Sequence, residues 1–140
     1  MKIAKEFRWE MGHRLPAHKG LCRNIHGHSY KMVVEVEGEV MKDGMIIDFY
    51  DLGLVVKPVL DKFDHSFMVW IKDKPLAEYL KKHKMKHVVV HYYATVENIS
   101  NDFLNRIAAG LKKQKIKNII AITVKISETP NSYAEARLEM

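Results

Sequence analysis

The order of two periodicities along these 140 residues predicts an α+β domain. Period-two alternation marks strands early and late in the chain, and three-and-four-residue stripes mark helices between them. Lys42-Asp43-Gly44 adds a tight-turn signal between two extended stretches, so antiparallel pairing is expected there.

Residues 3–13 read as the first strand, with Phe7, Trp9, Met11 and His13 on one face. Residues 14–25 contain Pro16, Gly20 and many polar side chains, the composition of a long loop. In the second strand, residues 28–40, Tyr30, Met32, Val34 and Val36 face one way while Lys31, Glu35 and Glu37 face the other. A short third strand is expected over residues 45–49, after the turn. Leu52, Val55, Val56, Val59, Leu60 and Phe63 make residues 51–63 an amphipathic helix, which Pro58 should kink or break. Residues 75–84 form a short helix with Pro75 near its start, and Val88-Val89-Val90 a short strand. The longest helix spans residues 96–113, with Thr95 as N-cap and Val96, Ile99, Phe103, Leu104, Ile107 and Leu111 on one stripe. Ile120, Ile122, Val124 and Ile126 place residues 118–127 in a strand with one apolar face. Residues 132–138 supply a last strand.

No repeat or flexible linker divides the chain, so one domain over residues 1–140 is expected. Apolar residues at 47% and charged residues at 29% exclude a disordered, collagen-like or disulfide-dense chain. Cys22 is the lone cysteine, so no intrachain disulfide can form. Met1-Lys2-Ile3-Ala4-Lys5-Glu6 lacks the apolar stretch of a signal peptide, and no apolar run reaches the ~20 residues of a membrane helix. A cytoplasmic protein is expected, with no membrane partner. The net charge of +6 suits nucleic acid or a phosphorylated small molecule. The densest basic run, Lys81-Lys82-His83-Lys84-Met85-Lys86-His87, carries no recognisable nucleic-acid motif and reads as a solvated helix end.

Eight histidines is a high count for this length, and their placement carries chemistry. His26 and His28, two residues apart in extended backbone, share the face of Tyr30 and Met32. His13 ends the apolar face of the first strand. If the two strands pair, three imidazoles converge on one rim, a set that suits Zn²⁺ and leaves a fourth position open for substrate. His18 lies near enough in sequence to compete as the third ligand.

These pieces also resemble a known family. Gly12-His13-Arg14-Leu15-Pro16, Cys22-Arg23-Asn24-Ile25-His26-Gly27-His28-Ser29, Ile47-Asp48-Phe49-Tyr50-Asp51-Leu52, Phe63-Asp64-His65, Thr95-Val96-Glu97-Asn98 and Ser127-Glu128-Thr129 occur in one order. In that order they resemble the 6-pyruvoyltetrahydropterin synthase family and, within it, the 6-carboxytetrahydropterin synthases of queuosine biosynthesis. The resemblance implies a T-fold, an antiparallel sheet with two main helices on one face. It implies homo-oligomers, trimers stacked into hexamers, with active sites between subunits. It implies Zn²⁺ on His13, His26 and His28, and Cys22 as general base, with Asp64 orienting His65 in a proton relay. Glu128 would accept the N–H edge of a pterin, with Thr95 nearby, and Asp48 would be structural. The substrate would be 7,8-dihydroneopterin triphosphate, with no nucleic acid involved.

The three residues between Cys22 and His26 resemble the carboxy type, which releases acetaldehyde and triphosphate; the pyruvoyl type commonly has a longer gap. A pyruvoyl-type synthase and a T-fold protein that only binds a pterin are the competing readings. Arg14, Lys19 and Arg23 are the cations nearest the motif for the triphosphate. The chain departs from the family pattern at Ala94, where a proline usually precedes the threonine, and at Val69, where an asparagine is usual. Residues 70–92 read as a peripheral insertion relative to compact relatives.

Overall fold

The computed structural model describes every residue, Met1–Met140. Its elements are β1 (Lys2–His13), a 3-10 turn (Leu21–Arg23), β2 (His26–Gly38), α1 (Phe49–Phe63), β3 (Ser66–Trp70), α2 (Lys74–Lys82), β4 (His87–Val90), α3 (Val96–Lys113), β5 (Ile119–Thr129) and β6 (Ser132–Glu139). They build a six-stranded sheet of order β4-β3-β1-β2-β5-β6.

Strands β1, β2, β5 and β6 pair antiparallel, whereas β3 runs parallel to β1 and β4 parallel to β3. The sheet is therefore mixed, not antiparallel throughout. Parallel neighbours need a crossover connection, and α2 supplies it between β3 and β4. The fold is an α+β T-fold: one face of the sheet carries α1 and α3, and the other carries polar side chains. Trp9, Met11, Tyr30, Met32, Val34, Val36, Ile122, Val124 and Ile126 line the covered face, none more than 3% exposed. Across from them stand Val56 and Phe63 of α1 and Ile99, Phe103, Ile107 and Leu111 of α3. Glu6, Arg8, Lys31, Glu35 and Glu37 occupy the opposite parity and pair with nearby charges.

Three expectations change. Residues 45–49 form no strand, because β2 already has β1 on one edge and β5 on the other. The turn at Lys42-Asp43-Gly44 is present, with Gly44 at φ +83, but it sits in the connection from β2 to α1. Ile46 and Ile47 are buried there, and Asp48 caps α1 by accepting from Tyr50 N at 2.6 Å. Pro58 does not break α1, which runs unbroken over Phe49–Phe63. Pro58 lies on the exposed side, where water can meet the carbonyl its ring leaves unpaired, while Leu52, Val55, Val56, Val59 and Phe63 stay buried beneath. Strand β3 had no signal of its own: Ser66, Met68 and Val69 are all buried, so the alternation is lost.

Helices α1 and α3 pack closely at Gly110. An added Cβ there would stand 2.6 Å from Val55 Cγ1, on a stiff β-branched side chain. Glycine inside a helix normally costs about 1 kcal/mol relative to alanine. At this contact the sign is expected to reverse: Gly110→Ala should destabilise the protein by about 1–3 kcal/mol, read from urea denaturation midpoints.

Candidate active site

The register of β1 on β2 sets His13 opposite His26 and Met11 opposite His28. The three rings stand 4.6, 5.2 and 5.1 Å apart, centroid to centroid, and their ligand atoms lie within 4.8 Å of one another. His18 is outside this cluster; its Nδ1 accepts from Gly20 N at 2.8 Å and shapes the loop. The structure gathers His13, and not His18, with His26 and His28.

Backbone carbonyls set the tautomers. His13 Nδ1 lies 2.8 Å from Ala94 O, and His26 Nδ1 lies 2.8 Å from Asn24 O. A carbonyl can only accept, so each Nδ1 carries the hydrogen and each Nε2 keeps its lone pair. His13 is 2% exposed, and burial lowers its pKa to about 4. Burial lowers His28 as well, partly opposed by the Glu128 carboxylate. Three imidazoles with ring nitrogens within 4.8 Å of one another fit a divalent metal ion. Ala94 offers its carbonyl, not its side chain, so the departure from proline leaves this contact intact.

Beside the cluster, Tyr30 donates to Glu128 Oε1 at 3.2 Å, and that oxygen is 3.7 Å from His13 Nε2. Glu128 is half-buried and shares a cavity of about 550 Å³ with His28, Ser29, Arg8 and Lys31. Thr95 caps α3 by accepting from Asn98 N at 3.4 Å, one residue after the carbonyl that holds His13.

Asp64 and His65 form a pair, Oδ1 to Nδ1 3.0 Å. Asp64 Oδ1 also accepts from Glu10 N at 2.9 Å, and that hydrogen bond is the main cause holding its pKa below the usual carboxylate range. His65 sits at φ +52 and lines a cavity of about 300 Å³ with Glu10, Met11, Gly12, Gly27, His28 and Ser29. Glu10, Gly12, Gly27 and Ser29 have the parity opposite to Met11, His13, His26 and His28 on the same strands. Cys22 is half-buried in the 3-10 turn and is not part of that lining.

Of the three cations near the motif, Arg14 is taken. It makes a two-pronged pair with Asp73, 2.7 and 2.6 Å, and the Asp73 side chain is only 4% exposed. Sequence patterning missed this clasp, because its partners are far apart in the chain. Within the basic run, Lys86 donates to Asp61 O and Asp64 O at the C-terminal end of α1.

A T-fold sheet thus carries, on one rim, three imidazoles that could hold a metal ion. A model of the family described as 6-pyruvoyl tetrahydropterin synthase matches residues 2–139, and the chain belongs to that family. The chain is 39% identical, over 96% of both sequences, to a Haemophilus influenzae protein named 6-carboxy-5,6,7,8-tetrahydropterin synthase. An Aquifex aeolicus protein of the same name is 29% identical over 99% of this chain and 98% of its own. Among solved structures, a Plasmodium vivax 6-pyruvoyl tetrahydropterin synthase superposes at TM-score 0.81 with 20% identity, covering 100% of this chain and 98% of that one. A Caenorhabditis elegans 6-pyruvoyl tetrahydropterin synthase does so at 0.71 with 22% identity, covering 99% and 96%. These two show the shared fold. No helix of the chain is long and apolar enough to cross a membrane.

The buried His13 makes stability depend on pH in the metal-free protein. Its folded pKa of about 4 lies below the unfolded 6.5, so on acidification the unfolded chain takes up the proton first. The stabilisation is complete above pH 6.5 and lost as pH falls through 4. Roughly 3 kcal/mol should disappear between these limits, measured by denaturation at fixed salt. His13→Ala should abolish this component and, with it, stoichiometric metal binding, read by elemental analysis.

Proposed function

We propose that this chain is a Zn²⁺-dependent lyase that converts 7,8-dihydroneopterin triphosphate to 6-carboxy-5,6,7,8-tetrahydropterin, releasing acetaldehyde and triphosphate in the queuosine pathway. The observation that carries the reading is the cluster of His13, His26 and His28, all with ring nitrogens within 4.8 Å, and Cys22 just ahead of it on the connecting loop. Identity of 39% to a protein bearing the carboxy-type name supports the product assignment.

His13, His26 and His28 would hold the metal. When bound, it supplies Lewis acidity that makes the substrate's side-chain O–H and C–H bonds more acidic. The other steps fall to side chains. Glu128 accepts the two parallel N–H groups of the pterin edge, and Thr95 stands close to the ring. As thiolate, Cys22 removes a proton from the substrate side chain. His65, oriented by Asp64, exchanges that proton.

Asp64 and His65 are not among the residues gathered at His13, His26 and His28, so we assign them to the active site of a neighbouring copy. Two free strand edges support a homo-oligomer, a trimer or hexamer. Residues 2–9 of β1 pair as a strand only with β2, and β6 pairs only with β5. Unpaired edges of this length call for a partner strand. The site of action is proposed as the cytoplasm.

The test is incubation of Zn²⁺-loaded protein with 7,8-dihydroneopterin triphosphate, products identified by mass spectrometry. 6-Carboxytetrahydropterin and acetaldehyde are expected, with turnover reduced at least about 10²-fold in Cys22→Ala. A pyruvoyl product would move the chain to the sister activity. Folded, zinc-loaded protein without turnover would leave a pterin-binding role. Mixing Cys22→Ala with His65→Ala protein should restore partial activity, because mixed oligomers contain some sites with both groups intact.

A further inference from the structure

The Tyr30 hydroxyl stands between the metal cluster and Glu128. Its ring is 1% exposed and stacks on Trp9 at 5.0 Å, and Trp9 packs in turn on Phe103 at 5.3 Å. The phenol cannot swing away from this stack. Its oxygen has two acceptors in reach, Glu128 Oε1 at 3.2 Å and His13 Nε2 at 3.5 Å. These acceptors are themselves 3.7 Å apart. His13 gives its Nδ1 hydrogen to Ala94 O, so its Nε2 faces Tyr30 as a lone pair. A phenol carries one hydrogen, so Tyr30 can donate to one acceptor at a time. One hydrogen therefore serves two acceptors.

We propose that Tyr30 is a positioning residue that couples metal binding to pterin binding: with a metal on His13 Nε2, the Tyr30 hydroxyl has Glu128 as its only acceptor and locks that carboxylate in place. The inference rests on the proposed roles of the histidines and Glu128. The hydrogen never leaves the phenol oxygen; only its direction changes. In the metal-free protein it is divided between two acceptors, and Glu128 is held less firmly. A coupling of this kind is reciprocal, so pterin must tighten metal binding by the factor by which metal tightens pterin binding.

The probe is 2-amino-4-oxopteridine, which carries the pterin ring edge but no side-chain oxygen to reach a metal. Calorimetry on Zn²⁺-loaded and metal-free protein should give about tenfold tighter pterin binding with zinc, one hydrogen bond's worth. Tyr30→Phe, shown folded by circular dichroism, should bind pterin in both states with the ratio reduced to within about twofold. An unchanged ratio in Tyr30→Phe overturns the coupling. So does a wild-type ratio of one. A second measurement needs no variant: saturating pterin should raise the wild-type Zn²⁺ affinity by the same tenfold, and an unchanged affinity overturns the proposal. Glu128→Gln separates the two levels. If it loses pterin in both states while Tyr30→Phe keeps the full zinc effect, only the coupling fails. If it binds pterin as wild type does, the assignment of Glu128 fails and the coupling with it.

Discussion

Strand side chains alternate with a period of two, so a one-residue slip of β1 against β2 would turn His13 away from His26 and His28. The observed register puts His13 opposite His26 and carries Trp9, Met11, Tyr30 and Met32 to the same face. The histidine rim and the hydrophobic core are thus consequences of one choice. Core burial is the larger energy, and it fixes the register on which the imidazoles depend. Gly12 and Gly27 face each other beside these pairs on the opposite face. There Gly12 admits the Phe67 ring, which a Cβ would meet at 2.5 Å, and so lets β3 close against the rim.

A second set of contacts holds the loop over residues 14–25 in place. Arg14 grips Asp73, Ala17 N donates to Tyr93 OH at 2.9 Å, and Tyr93 O accepts from Asn98 Nδ2 at 2.9 Å. Asp73 is buried, so its charge requires the bidentate partner it has. These anchors come from the stretch around α2 and β4 and from the start of α3. Residues that extend the sheet at its edge therefore also steady the loop that carries Cys22.

Much of this was legible in the residues. The shared parity of His26, His28, Tyr30 and Met32, the stripes of α1 and α3, and the cap Thr95 all follow from local spacing, and the structure shows each. Features that depend on pairing partners were not. Nothing within residues 45–49 reveals that both edges of β2 are occupied, and β3 is hidden by burial on both sides. Arg14 reads as a free cation until Asp73, remote in sequence, is brought to it. The side of the sheet on which His65 falls likewise depends on how the chain leaves α1. Periodicity describes one element at a time, and these facts belong to pairs.

All three clustered histidines lie on β1 and β2, joined directly by the loop over residues 14–25. Closing so short a loop is entropically cheap compared with bringing β3 and β4 into parallel register through α2. The ligand set is therefore complete once the first two strands have met. During synthesis, the N-terminal hairpin leaves the ribosome well before the helix and strands that finish the core. An ion captured at that stage would act as a staple on the hairpin, making metal supply a matter of folding yield as well as of chemistry.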